Sequence, residues 1–214
     1  MLATADVDAA TNLIVDGDFE TPPAAGNNVG QTQGYYTYGF TTITSTVVPV
    51  TGVAPANQWT IGRAGTPGGA GGTNAPRFHW FSKTSKQAYD PSPASGSTYA
   101  VQLNTDRAAA TTQIYMAQTV TVVAGQRYAL TYQYTGEIST NQGKTGGLQV
   151  RVSGDATASV DNTFTSSTTY TNGAVSFIAA ASGPALVYFA DNAPAANPNQ
   201  NVVLDNISLT AVTP

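Results

Sequence analysis

Apolar residues recur at every second position through the latter part of this chain, and that period restricts it to half-buried β-strands. In RYALTYQYTG, residues 127–136, Tyr128, Leu130, Tyr132 and Tyr134 share one face, while Ala129, Thr131 and Gln133 take the other. GLQVRVSG, residues 147–154, sets Leu148, Val150 and Val152 against Gln149 and Arg151 in the same way. Further strands are expected at STYAVQL, TTQIYMAQTVTV, GAVSFIAA, ALVYFA and NVVLDNISLT, each bounded by Gly, Pro, Asn or Ser. No stretch shows the i, i+3, i+4, i+7 spacing of a helix. The pattern predicts an all-β chain, with QTVTVVAGQRYALTY as a hairpin closed around Ala124 and Gly125.

Between Thr21 and Ser97 the strands are expected to be shorter. Runs at YYTYGF, TTITSTVVPV, QWTIG and RFHWF are separated by loop-forming segments, and the Gly-rich residues 62–76 would be costly to order without a partner. No internal repeat or linker divides the chain. With 214 residues and 41% hydrophobic content, it can bury one sizeable core. We therefore expect one domain over residues 12–214, preceded by an N-terminal arm, residues 1–11. That arm, MLATADVDAAT, lacks the basic start and long apolar run of a secretory signal, and as a free strand it suits addition to a neighbour's sheet.

Charge narrows the choice of partners. Only 9% of residues are charged, the net charge is −4, and the 8 basic residues are scattered, so no basic stripe exists for a phosphate backbone. No apolar run is long enough for membrane insertion. With no cysteine, there is no disulfide framework and no thiolate metal site.

The sequence does not suggest a catalytic group. His79 is the only histidine, and no Gly-x-Ser-x-Gly turn surrounds a serine. Glycoside hydrolysis needs a carboxylate pair, but the only glutamates are Glu20 and Glu137, and nothing brings Asp90 and Asp106 together.

Two carboxylates instead stand in apolar company at opposite ends of the chain: Glu20 in NLIVDGDFE and Asp205 in NVVLDNISLT. As a regular strand, the second segment would place Val203, Asp205, Ile207 and Leu209 on one face. An inward carboxylate is costly unless it is paired or bound to a metal, and oxygen donors without His or Cys suit calcium. Equally, Asp16 and Asp18 can be ordinary turn residues and Asp205 can sit at a strand end in water.

In order, NLIVDGDFE, the Trp of NQWTIG, GSTYAVQLN, QIYMAQTVTVVAGQRYALTYQYTG and VVLDNISL resemble the galactose-binding-like jelly rolls, which include calcium-containing carbohydrate-binding modules of bacterial secreted proteins. The likeness runs from Asn12 to Leu209, although only Trp59 matches between Asn27 and Pro93. The resemblance implies a single-domain β-sandwich of jelly-roll topology. It also implies a structural calcium held by Glu20, Asp205 and the backbone of Asp18, and a buried, hydrogen-bonding Gln118.

For the partner, the resemblance implies a glycan and an extracellular or cell-surface location. A building-block role is the alternative: a virion-surface decoration or fibre protein, or a subunit of an extracellular assembly that contacts neighbouring copies. In either case the aromatics of the long loops, Tyr35, Tyr36, Tyr38, Trp80 and Tyr89, are the expected ligand contacts, rather than the regular strands after Thr111.

Overall fold

The computed structural model describes residues 11–23, 35–39, 45–48, 50, 52–64, 77–86, 90–104, 113–138, 145–154, 156–165, 167–192 and 201–212. Within them lie twelve strands and one 3-10 turn, Pro55–Asn57. The strands are β1 Tyr35–Gly39, β2 Ser45–Val48, β3 Trp59–Ala64, β4 Arg77–Ser82, β5 Tyr99–Asn104 and β6 Gln113–Val122. They continue with β7 Arg127–Gly136, β8 Thr145–Gly154, β9 Ala158–Thr165, β10 Thr171–Ile178, β11 Gly183–Asp191 and β12 Val202–Val212. The arm expected over residues 1–11 lies outside the described residues except for Thr11.

All pairings are antiparallel. One six-stranded sheet, here called the first sheet, has the order β1-β4-β5-β12-β7-β10, and the second has the order β2-β3-β6-β11-β8-β9. Their inner faces form one core, a β-sandwich of jelly-roll type. The alternation read from the sequence supplies it. Leu130 and Tyr132 of β7, Val150 of β8, Val187 and Phe189 of β11 and Met116 of β6 are all buried in one cluster. Aromatic edges interlock across the gap, with Tyr132 on Phe189 at 5.4 Å and 78°, and Tyr134 on Phe164 at 6.0 Å and 70°.

The turn at Ala124 and Gly125 does not close a hairpin. β6 belongs to the second sheet and β7 to the first, so the chain crosses the sandwich here. The crossing is tied down by Gly125 N–H donating to the Ala179 carbonyl at 2.9 Å and Ala179 N–H donating to the Gln126 carbonyl at 3.1 Å. Gly125 has φ +76, which a side chain would strain. Apolar alternation is the same whether two consecutive strands pair or face each other, so the pattern could not tell these arrangements apart.

The two ends of the chain do meet. Leu13 N–H donates to the Leu209 carbonyl at 2.8 Å, Leu209 N–H to Asn12 Oδ1 at 2.9 Å, and Ile207 N–H to the Gly17 carbonyl at 2.8 Å. Gln118 is buried as expected; its amide donates to the Val15 carbonyl and accepts from Val15 N–H. The turn that follows is clamped between two indoles. Trp59 Nε1–H donates to the Asp16 carbonyl, Trp80 Nε1–H donates to the Phe19 carbonyl, and the Phe19 ring lies 5.9 Å and 5.5 Å from the two Trp rings. A Cβ at Gly17 would come within 1.9 Å of the Ile207 carbonyl oxygen, so only glycine fits at this position.

A bulge in β12 changes the expected facing of Asp205. The β12–β7 register shifts between Asp205 and Ser208, and Asn206 has φ +51. Val202 and Leu204 point into the main core before the bulge, and Ile207 and Leu209 point into it after. Val203 packs on the opposite face of the first sheet with Phe81 and Ala100. Asp205, two residues from Val203, takes that outer side, away from Ile207 and Leu209, and is itself fully buried.

Candidate functional site

Glu20 and Asp205, the carboxylates expected to bind a metal, lie near each other. Glu20 Oε1 accepts Thr98 N–H at 2.6 Å and Tyr99 N–H at 3.1 Å. Asp205 accepts Ala94 N–H on Oδ2 and Asn206 N–H on Oδ1, at 2.9 and 2.8 Å. The two side chains are close enough for Glu20 to disfavour ionisation of Asp205, although burial is the larger cause of its pKa being pushed up to about 7. Asp18, expected to contribute its backbone, keeps its side chain apart from this pair. It is exposed and lines an open depression of about 350 Å³ with Asn12, Asp16, Asn206 and Ser208. Asp16 in turn is raised to about 7, chiefly by burial, with Asp18 and Glu20 adding to the effect. Among the described residues no group of three or more His, Asp or Glu side chains is placed to hold a metal ion. Glu20 and Asp205 suit a hard cation in donor type, with backbone or water oxygens making up the remainder.

Two of the aromatics expected to contact a ligand belong to the core. Trp80 is 0% exposed and Tyr38 6%. Both lie on the inner face of the first sheet, Trp80 against Phe19 and Tyr38 against Phe78. The period-two pattern of RFHWF sends Phe78 and Trp80 inward together and His79 and Phe81 outward. Tyr36 is half-buried against the same core. Tyr35 lies in β1 opposite Phe81, and Tyr89 lies outside the described residues.

Two aromatic groups face outward on the regular strands of the second sheet. Ile114 and Met116 point inward on β6, so Tyr115 points out; Val187 and Phe189 point inward on β11, so Tyr188 points out. The two half-exposed rings sit 5.1 Å apart, inclined by 31°. They rest on a floor of small residues. Gly62 and Ala190 flank Tyr115 in register, and Ala117 lies beside Tyr188. Gly62 makes room for the ring: a Cβ there would lie 2.3 Å from Tyr115 Cζ and Oη. Arg151, exposed, pairs in register with Tyr188, and Gln149 pairs with Ala190. Gln149 Nε2 donates to Asp161 Oδ1 at 3.3 Å. Burial raises the Tyr188 phenol above its ordinary value, Tyr115 adds to this, and Arg151 opposes it. The Tyr188 phenol is therefore a neutral donor at physiological pH.

The surface is thus a two-ring aromatic platform bordered by a guanidinium, an amide and a carboxylate. Flat π faces take the apolar faces of sugar rings, and convergent polar groups take the hydroxyls. The sequence carried the signal for it in QIYMAQ, where Tyr115 is out of phase with its apolar neighbours. Pairing Tyr115 with Tyr188 required the β6–β11 register.

A family model described as "Protein of unknown function (DUF642)" matches residues 77–210. No curated protein matches the sequence. Among solved structures, TmCBM61 in complex with β-1,4-galactotriose is 14% identical with a TM-score of 0.50, covering 95% of this chain and 100% of that one. A cyclase from Fischerella sp. TAU in complex with 4-(1H-indol-3-yl)butan-2-one is 15% identical with a TM-score of 0.60, over 95% of this chain and 98% of that one. The Stig cyclase FisC from Fischerella sp. TAU, bound to a pyrrolidinylidene-indole, is 19% identical with a TM-score of 0.54 over the same shares. At these identities the likeness establishes the shared sandwich fold.

Proposed function

The chain belongs to the DUF642 family, and on that footing we propose that it is a non-catalytic carbohydrate-binding module that grips glycan on the outer face of its second sheet. The observation that carries this reading is the Tyr115–Tyr188 platform with Arg151 and Gln149 at its border. TmCBM61, a sandwich of this type, is in complex with β-1,4-galactotriose, which makes β-1,4-linked galactan the first glycan to try. His79 gives the non-catalytic reading some support: burial first, and Arg77 second, lower it to about 3, outside the range of a proton carrier near neutral pH. The building-block alternative draws on the arm of residues 1–11, of which only Thr11 is among the described residues. Among the described residues no helix is long and apolar enough to cross a membrane. Extracellular or cell-surface work fits a glycan partner.

Affinity electrophoresis through gels holding β-1,4-galactan, xylan or cellulose derivatives tests the reading. Retardation by at least one polysaccharide is expected. In Gly62→Ala the new Cβ displaces the Tyr115 ring, so retardation should weaken while the melting temperature changes little. If no polysaccharide retards the wild type, or if Gly62→Ala migrates like it, the reading fails.

Calcium is the second part of the proposal. We assign Glu20 and Asp205 as its carboxylate ligands, at the junction of the N-terminal turn, the loop before β5 and β12. Asp18 lines the separate depression. A cation there would offset the repulsion between two carboxylates and staple the chain ends. Without metal, the raised values of Asp16 and Asp205 set a pH dependence. The unfolded carboxylates titrate near 3.8 and the folded ones near 7, so the folded state holds more protons between those limits. In chelator, the melting temperature is therefore expected to fall as pH rises from about 4 to about 7. Calcium at pH 7 should raise it again by ligand linkage. A flat profile in chelator would contradict the pH account. A melting temperature indifferent to calcium would remove the metal.

A further inference from the structure

We infer that the outer face of β7 and β10, beside the β12 bulge, holds a second binding site whose ligand is a neutral saccharide. Leu130, Tyr132 and Tyr134 point into the core, so Thr131 and Gln133 point outward; on β10, Val175 and Phe177 pack inward, so Asn172 and Ala174 point outward. Over β4, β5 and β12 this face of the first sheet is covered. Tyr170 packs on Phe81, Ala100 and Val203, and the loop before β5 closes over Asp205 through Ala94. Over β7 and β10 an open groove of about 410 Å³ remains, lined by Thr131, Gln133, Asn172, Ala174 and Asn206. That volume falls in the range of roughly 300–1,000 Å³ typical of small-ligand clefts.

Three side-chain amides run head to tail across the groove: Asn206 Nδ2 donates to Gln133 Oε1 at 2.8 Å, and Gln133 Nε2 donates to Asn172 Oδ1 at 3.0 Å. The bulge makes this chain possible. Asn206 stands at φ +51, a conformation that residues with a side chain rarely adopt, and its amide is thereby aimed at Gln133. The chain ends at Asn172, whose Nδ2 makes no hydrogen bond among the described residues. Thr131, Asn172 and Ala174 are exposed, so a hydroxyl, a spare donor and a small floor residue are all open to solvent. Because the amides already hold one another in place, a ligand would bind them without first ordering them.

The lining carries no charge. Its one titratable group is the Tyr132 phenol, which burial holds above its ordinary value. A charged ligand would give up hydration here without meeting a countercharge. Amides and a hydroxyl both donate and accept, which matches the hydroxyls of a neutral sugar, and Ala174 leaves room for its ring. The groove lies on the opposite face of the sandwich from the tyrosine platform and shares no residue with it, so the two can fail separately.

Nuclear magnetic resonance of the side-chain amides in the isotope-labelled full chain, titrated with D-galactose, D-glucose, D-xylose, D-galacturonate and D-glucosamine, tests the inference. At least one neutral sugar should shift the Gln133 and Asn172 amides saturably, and both charged sugars should bind there about tenfold more weakly or worse. Asn206→Gly keeps the backbone at ease at positive φ but deletes the amide that starts the chain, and Asn172→Ala deletes the spare donor at its end. Each should weaken the neutral sugar, read at Gln133, by about tenfold or more, while the melting temperature stays near that of the wild type. Should Asn206→Gly not fold, Asn172→Ala, at an exposed position, decides alone. The Gln149 amide reports the tyrosine platform in the same spectra. No saturable shift at Gln133 with any neutral sugar, whether or not Gln149 responds, would overturn the site. So would a loss of less than about tenfold in the folded variants, or a charged sugar that binds within about tenfold of the neutral one. A response at Gln149 alone would leave the platform standing by itself.

Discussion

Trp80→Ala is expected to destabilise the protein by about 3–5 kcal/mol, the cost of emptying a large aromatic site in a close-packed core. Its ring is fully buried, and its indole N–H holds the Phe19 carbonyl in the turn that joins the chain ends. Loss of that ring removes the edge-on contact with Phe19 and frees residues 16–20 from one of their two indole clamps. Urea denaturation followed by far-ultraviolet circular dichroism measures the effect. For a chain of this size the melting temperature should drop by roughly 6–20 °C. A loss below about 1 kcal/mol would mean that Trp80 is not part of the core and would return it to the surface role its loop neighbourhood suggests.

Tyr115→Ala and Tyr188→Ala are expected each to weaken glycan binding by about 2 kcal/mol, or roughly thirtyfold, which is typical of an aromatic anchor at the centre of a binding surface. Each ring lies over small residues of the sheet, so its removal deletes contact area without opening a core cavity. Stability should therefore fall much less than in Trp80→Ala. The contrast between the two classes of variant is diagnostic: one loses fold stability, the other loses ligand. If both tyrosine variants bind as the wild type does, the platform has no part in recognition.

The long strands of the second half were legible because sustained alternation leaves one choice of inward face, as in β7 and β8. The meeting of the chain ends was legible from Glu20 and Asp205, although hydrogen bonds from Leu13, Leu209 and Ile207 make the junction. What escaped has local causes. One extra residue at Asn206 reverses the phase of β12, and a bulge held by a positive φ at an asparagine leaves no mark in hydrophobic pattern. The crossing at Ala124 and Gly125 uses the same turn chemistry as a hairpin. Trp80 was drawn toward the surface by its Gly- and Pro-rich surroundings, yet its parity with Phe78 places it inside. Tyr115 and Tyr188 lie 73 positions apart in sequence and become neighbours only through the β6–β11 ladder.

The most direct test of the central claim is hydroxyl-radical footprinting with mass-spectrometric readout, comparing the free protein with the protein saturated by the polysaccharide that retards it most. Strong protection of Tyr115 and Tyr188 is expected, with Arg151-bearing peptides protected alongside, and no change at the buried Trp59 and Trp80. Unaltered oxidation of both tyrosines in the saturated complex would contradict it.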